Sequence, residues 1–337
     1  MSEIVIALDA MGGDNSPQAT VEGALQALNE LKDARILLFG SKGIEVQHER
    51  LEFVETTEVI TNDEAPMMAV RKKVNSSMVA AALAVREGRA NAMVSAGSTG
   101  ALLACGMVRM GRIQGVERPA LASIIPGRNK PFLLTDCGAN VDCLPKYLVQ
   151  FGLMGSVYMN RIMGVKEPRV GLANIGAEAE KGNQLTKTTY EMMSQQKEFA
   201  FAGNVEARDI PTGDFDVVVA DGFDGNLILK YTEGLASALV GMLKDEIKSS
   251  KKAMVGALFM KDAMHKFKAR MDYEEVGGAP LLGVKGAVVK AHGSSRARAF
   301  KNAIIQAYHM VETGMVAEIE RGIAEISAGQ TNEEEVK

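Results

Sequence analysis

Short apolar runs rich in Val, Ile and Leu recur along the chain, and several end at a glycine-bearing loop that leads into a helix-like stretch. The six clearest runs, each with its loop, are IVIALDA and MGGDNSP, ARILLFG and SKG, ANAMVSAG and STGA, PFLLTDCG and AN, RVGLANIG and AEAEKGN, and DVVVADGF and DGN. Continuous apolar runs of this kind are typical of parallel strands that helices cover on both faces. The pattern predicts an α/β protein of three layers.

Helical periodicity fills the intervals between these runs. A first helix is expected from Pro17 onward, with Ser16 as its N-cap. Further helices are predicted over residues 67–86 and 146–163, and a last long helix over 295–326. The stretch GGAPLLGVKGAVVKAHGSS before that last helix predicts another strand and turn.

Between residues 231 and 271 the turn signals almost disappear and the strand rhythm stops. This predicts a protruding helical excursion at about 231–275 from a single α/β domain over 1–330. The remaining residues, 331–337, are polar and acidic, and they predict a frayed tail.

The composition narrows the classes of function. Of the 337 residues, 47% are hydrophobic and 24% charged, which excludes disordered and collagen-like chains. The 42 acidic residues outnumber the 38 basic ones, so no global positive field favours nucleic acid.

Three cysteines indicate a reducing, cytoplasmic setting, and the spacing of Cys137 and Cys143 fits neither a zinc site nor a redox pair. No metal or cofactor is predicted, and residues 90–108 are too rich in small polar groups to span a membrane.

Ligands of open α/β sheets bind beyond the carboxyl ends of the strands, where loop amides and helix N-termini face an anion. The glycine loops are therefore expected to share one rim. Dinucleotide, P-loop and nucleophile-elbow motifs are missing, which disfavours nucleotide chemistry and serine-type hydrolysis. Among the histidines, His292 follows a predicted strand end, and a structural role beneath the rim is as plausible as a functional one.

Two loops hold a side chain suited to a negatively charged transition state. Lys181, in NIGAEAEKGN, carries an ammonium that could neutralise phosphate oxygens or an oxyanion. Asn226, in DGFDGN, offers an uncharged amide donor. A solvated lysine and a helix-capping asparagine are equally weighted alternatives.

These motifs together resemble the phosphate acyltransferase (PlsX) family. ALDAMGGDNSP, SAGSTGA, DCGANVD, NIGAEAEKGN, DGFDGN, GGAPLLGVKG and AHGSS occur in that order over nearly the whole chain. The resemblance implies a Rossmann-like sheet similar in fold to the isocitrate and isopropylmalate dehydrogenases and to phosphate acetyltransferases. It also implies a homodimer that makes acyl phosphate from acyl-[acyl carrier protein] and inorganic phosphate, and so feeds glycerol-3-phosphate acylation in bacterial phospholipid synthesis.

The resemblance assigns the catalytic roles to Lys181 and Asn226. Motif and chemistry together give the candidate contacts for phosphate and substrate, which are Asp9, Gly12, Gly13, Asp14, Gly97, Ser98, Thr99, Gly100, Asn140, Gly182, Asn183, Gly225 and His292. Ser98 stands where the family more often has Asn, and Asp224 where a neutral Thr is common. Since a carboxylate would repel phosphate, the Asp224 side chain is expected to point away from the substrate. Asp9 and Asp14 could orient donors or order the phosphate-binding loop, and a purely structural role is the alternative.

The mechanism expected is direct attack of phosphate on an acyl thioester, without a covalent enzyme intermediate. Two alternatives are a decarboxylating dehydrogenase, which needs a nicotinamide site and a carboxylate-bound metal, and a non-catalytic membrane or carrier-protein adaptor. Neither of the sites that the dehydrogenase needs is evident in the sequence.

Within the excursion, residues 253–271 predict an amphipathic helix. The apolar stripe consists of Met260, Met264, Phe267 and Met271, and the basic residues beside it include Lys261, Lys266 and Lys268. A basic face beside an apolar ridge suits peripheral contact with an anionic membrane or the acidic helix of acyl carrier protein. Packing against a dimer mate is the alternative.

Overall fold

The computed structural model describes residues 3–271 and 277–334, except for the side chains of His265, 268–271 and 329–334. Within these residues, eleven strands form one sheet, in the order β3-β2-β1-β4-β11-β10-β5-β6-β9-β7-β8. The strands are β1 (Ile4–Asp9), β2 (Ala34–Gly40), β3 (Leu51–Glu55), β4 (Ala92–Ser95), β5 (Ala120–Ile125), β6 (Phe132–Thr135), β7 (Arg169–Asn174), β8 (Ala200–Glu206), β9 (Val217–Val219), β10 (Ala279–Leu282) and β11 (Ala287–Lys290).

The sheet consists of two parallel groups that run in opposite directions. Strands β3, β2, β1, β4 and β11 form the first group, and β6, β9, β7 and β8 form the second. The antiparallel pairs β11-β10, β10-β5 and β5-β6 connect the groups. The predicted parallel rhythm therefore holds within each group, but the expectation of one shared rim is wrong. Apolar runs indicate burial and carry no information on strand direction.

The two groups are staggered along β5. Lys290, which ends β11, pairs with Ala279 of β10, and the register of β10 with β5 places this pair level with Ser123. On the other side of β5, Thr135, which ends β6, pairs with Ala122. The carboxyl ends of the first group and those of the second thus lie at neighbouring levels and face each other from opposite directions. The loops after the strands meet at this boundary.

Helices cover both faces. They are α1 (Gln18–Glu30), α2 (Pro66–Lys72), α3 (Ser77–Arg86), α4 (Thr99–Ala104), α5 (Pro145–Arg161), α6 (Gln184–Ser194), α7 (Gly222–Ser249), α8 (Lys251–Phe259), α9 (Lys261–Met271), α10 (Ala297–Glu312) and α11 (Met315–Glu334). Alternate residues of β1 show the layering, because Ile6 and Leu8 belong to the core beneath α1 and α10, whereas Ala7 belongs to the core beneath α3. The three-layer α/β prediction is confirmed.

Several predicted helix boundaries differ from the observed ones. The helix expected over 67–86 is two helices, α2 and α3, and the last helix is divided at Gly314, whose positive φ of 67° ends α10. Ser16 does not cap α1, since its hydroxyl donates to the carbonyl of Gly12 and Pro17 occupies the N-cap. The helix α11 continues to Glu334, which is inside the segment predicted to fray.

The excursion is helical, as predicted, and begins earlier, at Gly222, as the succession α7, α8 and α9. Among the described helices, none is both long enough and apolar enough to cross a bilayer. The single-domain assignment stays a prediction, and the one continuous sheet agrees with it.

Candidate active site

A cavity of about 340 Å³ opens where the two sets of carboxyl ends meet. Both groups of strands and the first turns of α7 contribute to it. Its lining residues are Thr99, Leu121, Ser123, Ile124, Cys137, Gly138, Asn226, Leu229, Lys230, Glu233, Gly277, Gly278, Ala279, Lys290, Ala291 and His292. The stagger of the sheet thus gives the protein a pocket between two opposed rims.

The loop after β1 is held to the end of β4 by a buried carboxylate. Asp9, only 1% exposed, accepts a hydrogen bond from the hydroxyl of Ser95 at 2.6 Å and another from the amide of Met11 at 3.1 Å. The Ser95 hydroxyl in turn accepts from the amide of Gly97 at 3.1 Å. A Cβ at Gly12 would stand 2.4 Å from the same amide nitrogen, so the two loops touch through their backbones. These contacts support the role of Asp9 as the residue that orders the first loop.

The same loop also contacts the segment after β11. The amide of Asp14 donates to the carbonyl of Gly293 at 2.7 Å, and the side chain of Asn15 donates to the carbonyls of Ser294 and Ser295. His292 lines the cavity, and its Nδ1 accepts from the amide of Ser294 at 3.2 Å. The Asp14 carboxylate is exposed. The loops after β1, β4 and β11 therefore form one hydrogen-bonded rim.

Asp136 organises the opposite rim, after β6. Its carboxylate is buried and accepts from the amides of Leu121, Ala139 and Asn140 and from the side chain of Asn140, at 2.6–3.2 Å. Burial raises the pKa of Asp136 to about 6, although these hydrogen bonds oppose the increase. The side-chain amide of Asn140 donates to Asp136 and to the carbonyl of Pro119, and Asn140 does not line the cavity.

The first turn of α7 brings Asn226 to the cavity. Asp221 caps the helix by accepting from the amide of Asp224 at 2.8 Å. A Cβ at Gly225 would lie 1.9 Å from the carbonyl oxygen of Asp136, so only glycine permits this approach of α7 to the second rim. Asn226 then lies against Gly138 and lines the pocket. Asp224 is exposed and lies outside the cavity lining, and partial desolvation together with the charge of Asp221 raises its pKa.

Lys181 lies in the loop after β7 and is exposed. Its carbonyl accepts from the side chain of Asn174 at 3.2 Å, which closes the loop on itself. Asn183 caps α6 by accepting from the amide of Thr186 at 3.0 Å, and Gly182 has a positive φ of 98°. Lys181 is not among the residues that line the cavity.

Of the fifteen residues predicted for catalysis or substrate binding, the cavity lining includes Thr99, Asn226 and His292. Gly12 and Gly97 lie in the rim behind it, whereas Ser98 accepts from the amide of Ala101 at 3.5 Å as the cap of α4. Gly13, with a positive φ of 99°, packs beside Gly293, and Gly100 packs beside Pro66.

Sequence reasoning missed two lysines in the cavity. Lys290, the last residue of β11, donates from its ammonium to the carbonyl of Ala291 at 2.6 Å. Burial and, to a lesser extent, the charge of Lys230 lower the pKa of Lys290 to about 8, whereas Asp9 and Asp14 act in the opposite direction. Lys230, in α7, pairs at 2.9 Å with Glu233, which is also part of the lining. The one signal in the sequence is a lysine at an apolar strand end, just before Ala291 and His292.

The prediction of one helix over residues 253–271 is wrong, because α8 ends at Phe259 and α9 begins at Lys261, with Met260 between them. The surface of this segment carries exposed apolar and basic side chains. Met260 is 56% exposed and Phe267 46%, and Lys261 and Lys266 are exposed beside them. Met264 is half-buried. The side chains of Lys268 and Met271 lie outside the described residues.

Comparison with known proteins gives consistent relatives over nearly the whole chain. The sequence profile of a family described as "Fatty acid synthesis protein" matches residues 4–318. A phosphate acyltransferase of Clostridium perfringens is 50% identical over 330 residues, which cover 96% of this chain and 97% of that protein. A phosphate acyltransferase of Clostridium acetobutylicum is 49% identical over 332 residues, covering 96% of this chain and 100% of that protein.

Solved structures support the fold. A branched-chain phosphotransacylase from Enterococcus faecalis has a TM-score of 0.59 at 15% identity and covers 91% of this chain and 99% of its own. A phosphotransacetylase from Streptococcus pyogenes has the same TM-score and identity, with 92% and 94% covered. At this level of identity the likeness concerns the fold alone.

Proposed function

The chain belongs to the phosphate acyltransferase family, and from that premise we propose that it transfers the acyl group of acyl-[acyl carrier protein] to inorganic phosphate. The product is an acyl phosphate, which supplies glycerol-3-phosphate acylation in phospholipid synthesis. The observation that carries the proposal is the cavity between two rims of strand-end loops, which contains Asn226 and two lysines. Such a pocket can hold an anion against a second substrate.

In the reaction that we propose, an oxygen of phosphate attacks the thioester carbonyl. A carbon–oxygen bond forms, the carbon–sulfur bond breaks, and the sulfur leaves as a thiolate. Asn226 donates to the developing oxyanion, and Lys181 provides a positive charge from the loop after β7. Positioning of the two substrates supplies much of the acceleration.

Direct transfer is favoured over a cysteine intermediate. Cys137 lines the cavity, but its thiol donates to the carbonyl of Leu134 at 3.3 Å. Burial raises the pKa of Cys137 well above its usual range, with Asp136 and Glu233 adding to the increase. A thiol that stays protonated is a weak nucleophile.

The deciding assay combines the purified protein with acyl-[acyl carrier protein] and phosphate, and traps acyl phosphate as a hydroxamate. Hydroxamate should accumulate well above the enzyme-free control and only when phosphate is present. If none accumulates, the transferase proposal is wrong and the adaptor alternative is favoured. Substitution of acyl-coenzyme A for the carrier-bound donor tests the choice of donor.

We further propose a homodimer that uses the exposed face of α7. Apolar side chains follow one another at helical spacing along this face: Phe223, Leu227, Tyr231, Leu235, Leu239 and Met242, each more than 40% exposed. A ridge of this length is favourable only when it is covered. Leu239→Asp should convert a dimer to a monomer in sizing chromatography, whereas Lys244→Asp, on an exposed residue of the same helix, should leave it unchanged. A monomeric parent protein would contradict the dimer.

The tip of the excursion is proposed as a peripheral contact with anionic membrane, in an otherwise cytoplasmic protein. Phe259 is 88% exposed and Leu258 72%, next to Met260 and the basic Lys261. Exposed apolar side chains beside lysines bind an anionic interface by burial and by charge together.

A further inference from the structure

We propose that Lys290 and Lys230 form the phosphate-binding site of this protein, with Lys290 as a catalytic residue that touches the phosphate co-substrate. This inference rests on the proposed function and deepens it, because it assigns the anion to named side chains in the cavity. Asn226, which lines the same cavity, then acts on the carbonyl oxygen.

The first observation is the position of the Lys290 ammonium. It lies in the cavity lining at the end of β11, and one of its protons is donated to the carbonyl of Ala291. Among the described side chains, no carboxylate lies within 4 Å of this ammonium. A half-buried ammonium without a counter-ion is costly unless an anion binds beside it. Two of its three donors remain for that anion.

The second observation is the neighbouring cation. Lys230 approaches the same cavity from α7, on the other side of the boundary between the two strand groups. Two ammoniums that face one pocket repel each other, and an anion between them removes the repulsion. Glu233 already pairs with Lys230 at 2.9 Å. Of the two lysines, Lys290 is therefore the one whose charge an anion would compensate more.

The charges around Lys290 come from several elements. Lys230 and Glu233 lie on α7, Asp9 ends β1, Asp14 lies in the first loop, and His292 follows β11. Burial, as the largest cause, and the charge of Lys230 lower the pKa of Lys290 to about 8, against the smaller opposing effects of Asp9 and of Asp14. A bound phosphate favours the charged form, so the pKa must rise on binding. Phosphate affinity should consequently fall as the pH rises through about 8.

The main experiment measures the KM values for phosphate and for the acyl donor in Lys290→Met. The KM for phosphate should rise tenfold or more, since a charge-assisted contact is lost, while the KM for the donor changes little. Lys285→Met is the matched control, because Lys285 is exposed and lies just before the opposite end of β11. It should leave both constants unchanged. Equal constants in Lys290→Met and the parent would overturn the proposal.

The pH profile separates charge from packing. In the parent the KM for phosphate should rise above pH 8, whereas Lys290→Arg should keep it constant to higher pH, because arginine stays protonated. Lys230→Met removes a charge that lowers the pKa of Lys290, so the midpoint of its profile should move to higher pH. An unchanged midpoint in Lys230→Met would contradict the coupling of the two lysines.

A measurement on the unaltered protein avoids any effect of a substitution on folding. Titration calorimetry with inorganic phosphate at pH 8, in two buffers of different ionisation enthalpy, should reveal uptake of up to about half a proton per phosphate bound. No uptake would overturn the proposal. Because this binding needs no acyl donor, it stands or falls separately from the transferase reaction.

A phosphate group could also belong to the donor, in the prosthetic arm of the carrier protein. If Lys290→Met raised the KM for the carrier-bound donor and spared that for inorganic phosphate, the lysines would bind the donor's phosphate and the proposal would be overturned. A rise confined to inorganic phosphate supports it.

Discussion

At the scale of single residues, the proposed mechanism assigns the charged donor to Lys181, in the loop after β7, and the uncharged donor to Asn226, in the first turn of α7. Lys181→Ala and Asn226→Ala should each lower turnover by roughly a hundredfold or more, the usual effect of deleting a transition-state donor. Both side chains are exposed, so the melting temperature should change little. Steady-state kinetics and circular dichroism check the two expectations. Lys187→Ala, at an exposed position in α6, is the control, and full activity in Lys181→Ala would remove that lysine from the mechanism.

Asp136 makes a second prediction at this scale. Because burial raises its folded pKa to about 6, above the usual value for an aspartate, the native state binds a proton between about pH 6 and 4 that the unfolded chain does not bind. This group therefore adds stability as the pH falls through that window, by at most about 1.4 kcal/mol per pH unit.

The test compares the free energy of unfolding in urea from pH 4 to 6. In Asp136→Asn the contribution is absent, so the parent should gain stability relative to the variant as the pH falls. Asp142→Asn, at an exposed position, should track the parent. Parallel curves for Asp136→Asn and the parent would show that the carboxylate keeps an ordinary pKa in the folded state.

Some residues that line the cavity stand in a local sequence motif, and these could be predicted. Others are brought to the cavity only by the folding of the chain, and these were missed. Asn226 and His292 follow glycine-bearing segments that are recognisable in one dimension, and both line the cavity. Lys290 looks like an ordinary solvated strand end. Its setting arises from Lys230, which is distant in sequence and lines the same cavity only in the folded protein.

At the scale of elements, the excursion allows a prediction on membranes. Met260→Glu combined with Phe267→Glu should abolish binding to phosphatidylglycerol vesicles, because carboxylates replace apolar contacts and repel the anionic surface. Activity on soluble substrates should be preserved. Flotation of the protein with vesicles measures the loss.

Binding of the parent protein should also weaken as salt is added, since part of the attraction is Coulombic. Glu246→Gln, at an exposed position in the last turn of α7, serves as the control. Loss of the dimer in the doubly substituted protein, with no vesicle binding in the parent, would assign the stripe to the subunit interface instead.

Strands could be predicted from the sequence where the burial of apolar side chains determines their position. The apolar runs that form β1, β2 and β4 could be located because helices cover both faces of each strand, so that nearly all of its side chains are apolar. Helix breaks were less visible: one helix was predicted over 67–86 although Asn75 and Ser76, which favour turns and N-caps, stand between α2 and α3. The carbonyl of Asn75 in this turn accepts from the amides of Thr57 and Glu58, and the amide of Ser77 donates to the carbonyl of Glu58, which local periodicity does not reveal.

At the scale of the whole molecule, the site spans both strand groups, so occupancy should stabilise the fold as a unit. Phosphate at about 100 times its dissociation constant should add about 2.7 kcal/mol to the free energy of unfolding. Thermal melting in phosphate and in sulfate-free chloride buffer of equal ionic strength checks it. In Lys290→Met the same phosphate concentration should give a smaller increase, and an equal increase would place the anion elsewhere.

The direction of the second strand group was the main feature that the sequence left undetermined. The run that becomes β6 has the same apolar character as the run that becomes β4, although the two strands are oppositely directed. Direction follows from the hairpin-like return of β5 into β6 and from the late insertion of β10 and β11 between β4 and β5. These are properties of the connections, which become visible only in three dimensions.

Because the two strand groups are staggered along β5, this strand sets the distance between the two rims. Its first residues are registered to the first group through β10, and its later residues to the second group through β6. Because a strand advances about 3.3 Å per residue, the gap between the two rims is counted in whole residues of β5. One inserted residue would move the rims apart by about that distance and turn every following side chain to the opposite face. Loop sequences can therefore change gradually, whereas the separation of the two rims changes only in steps of one residue.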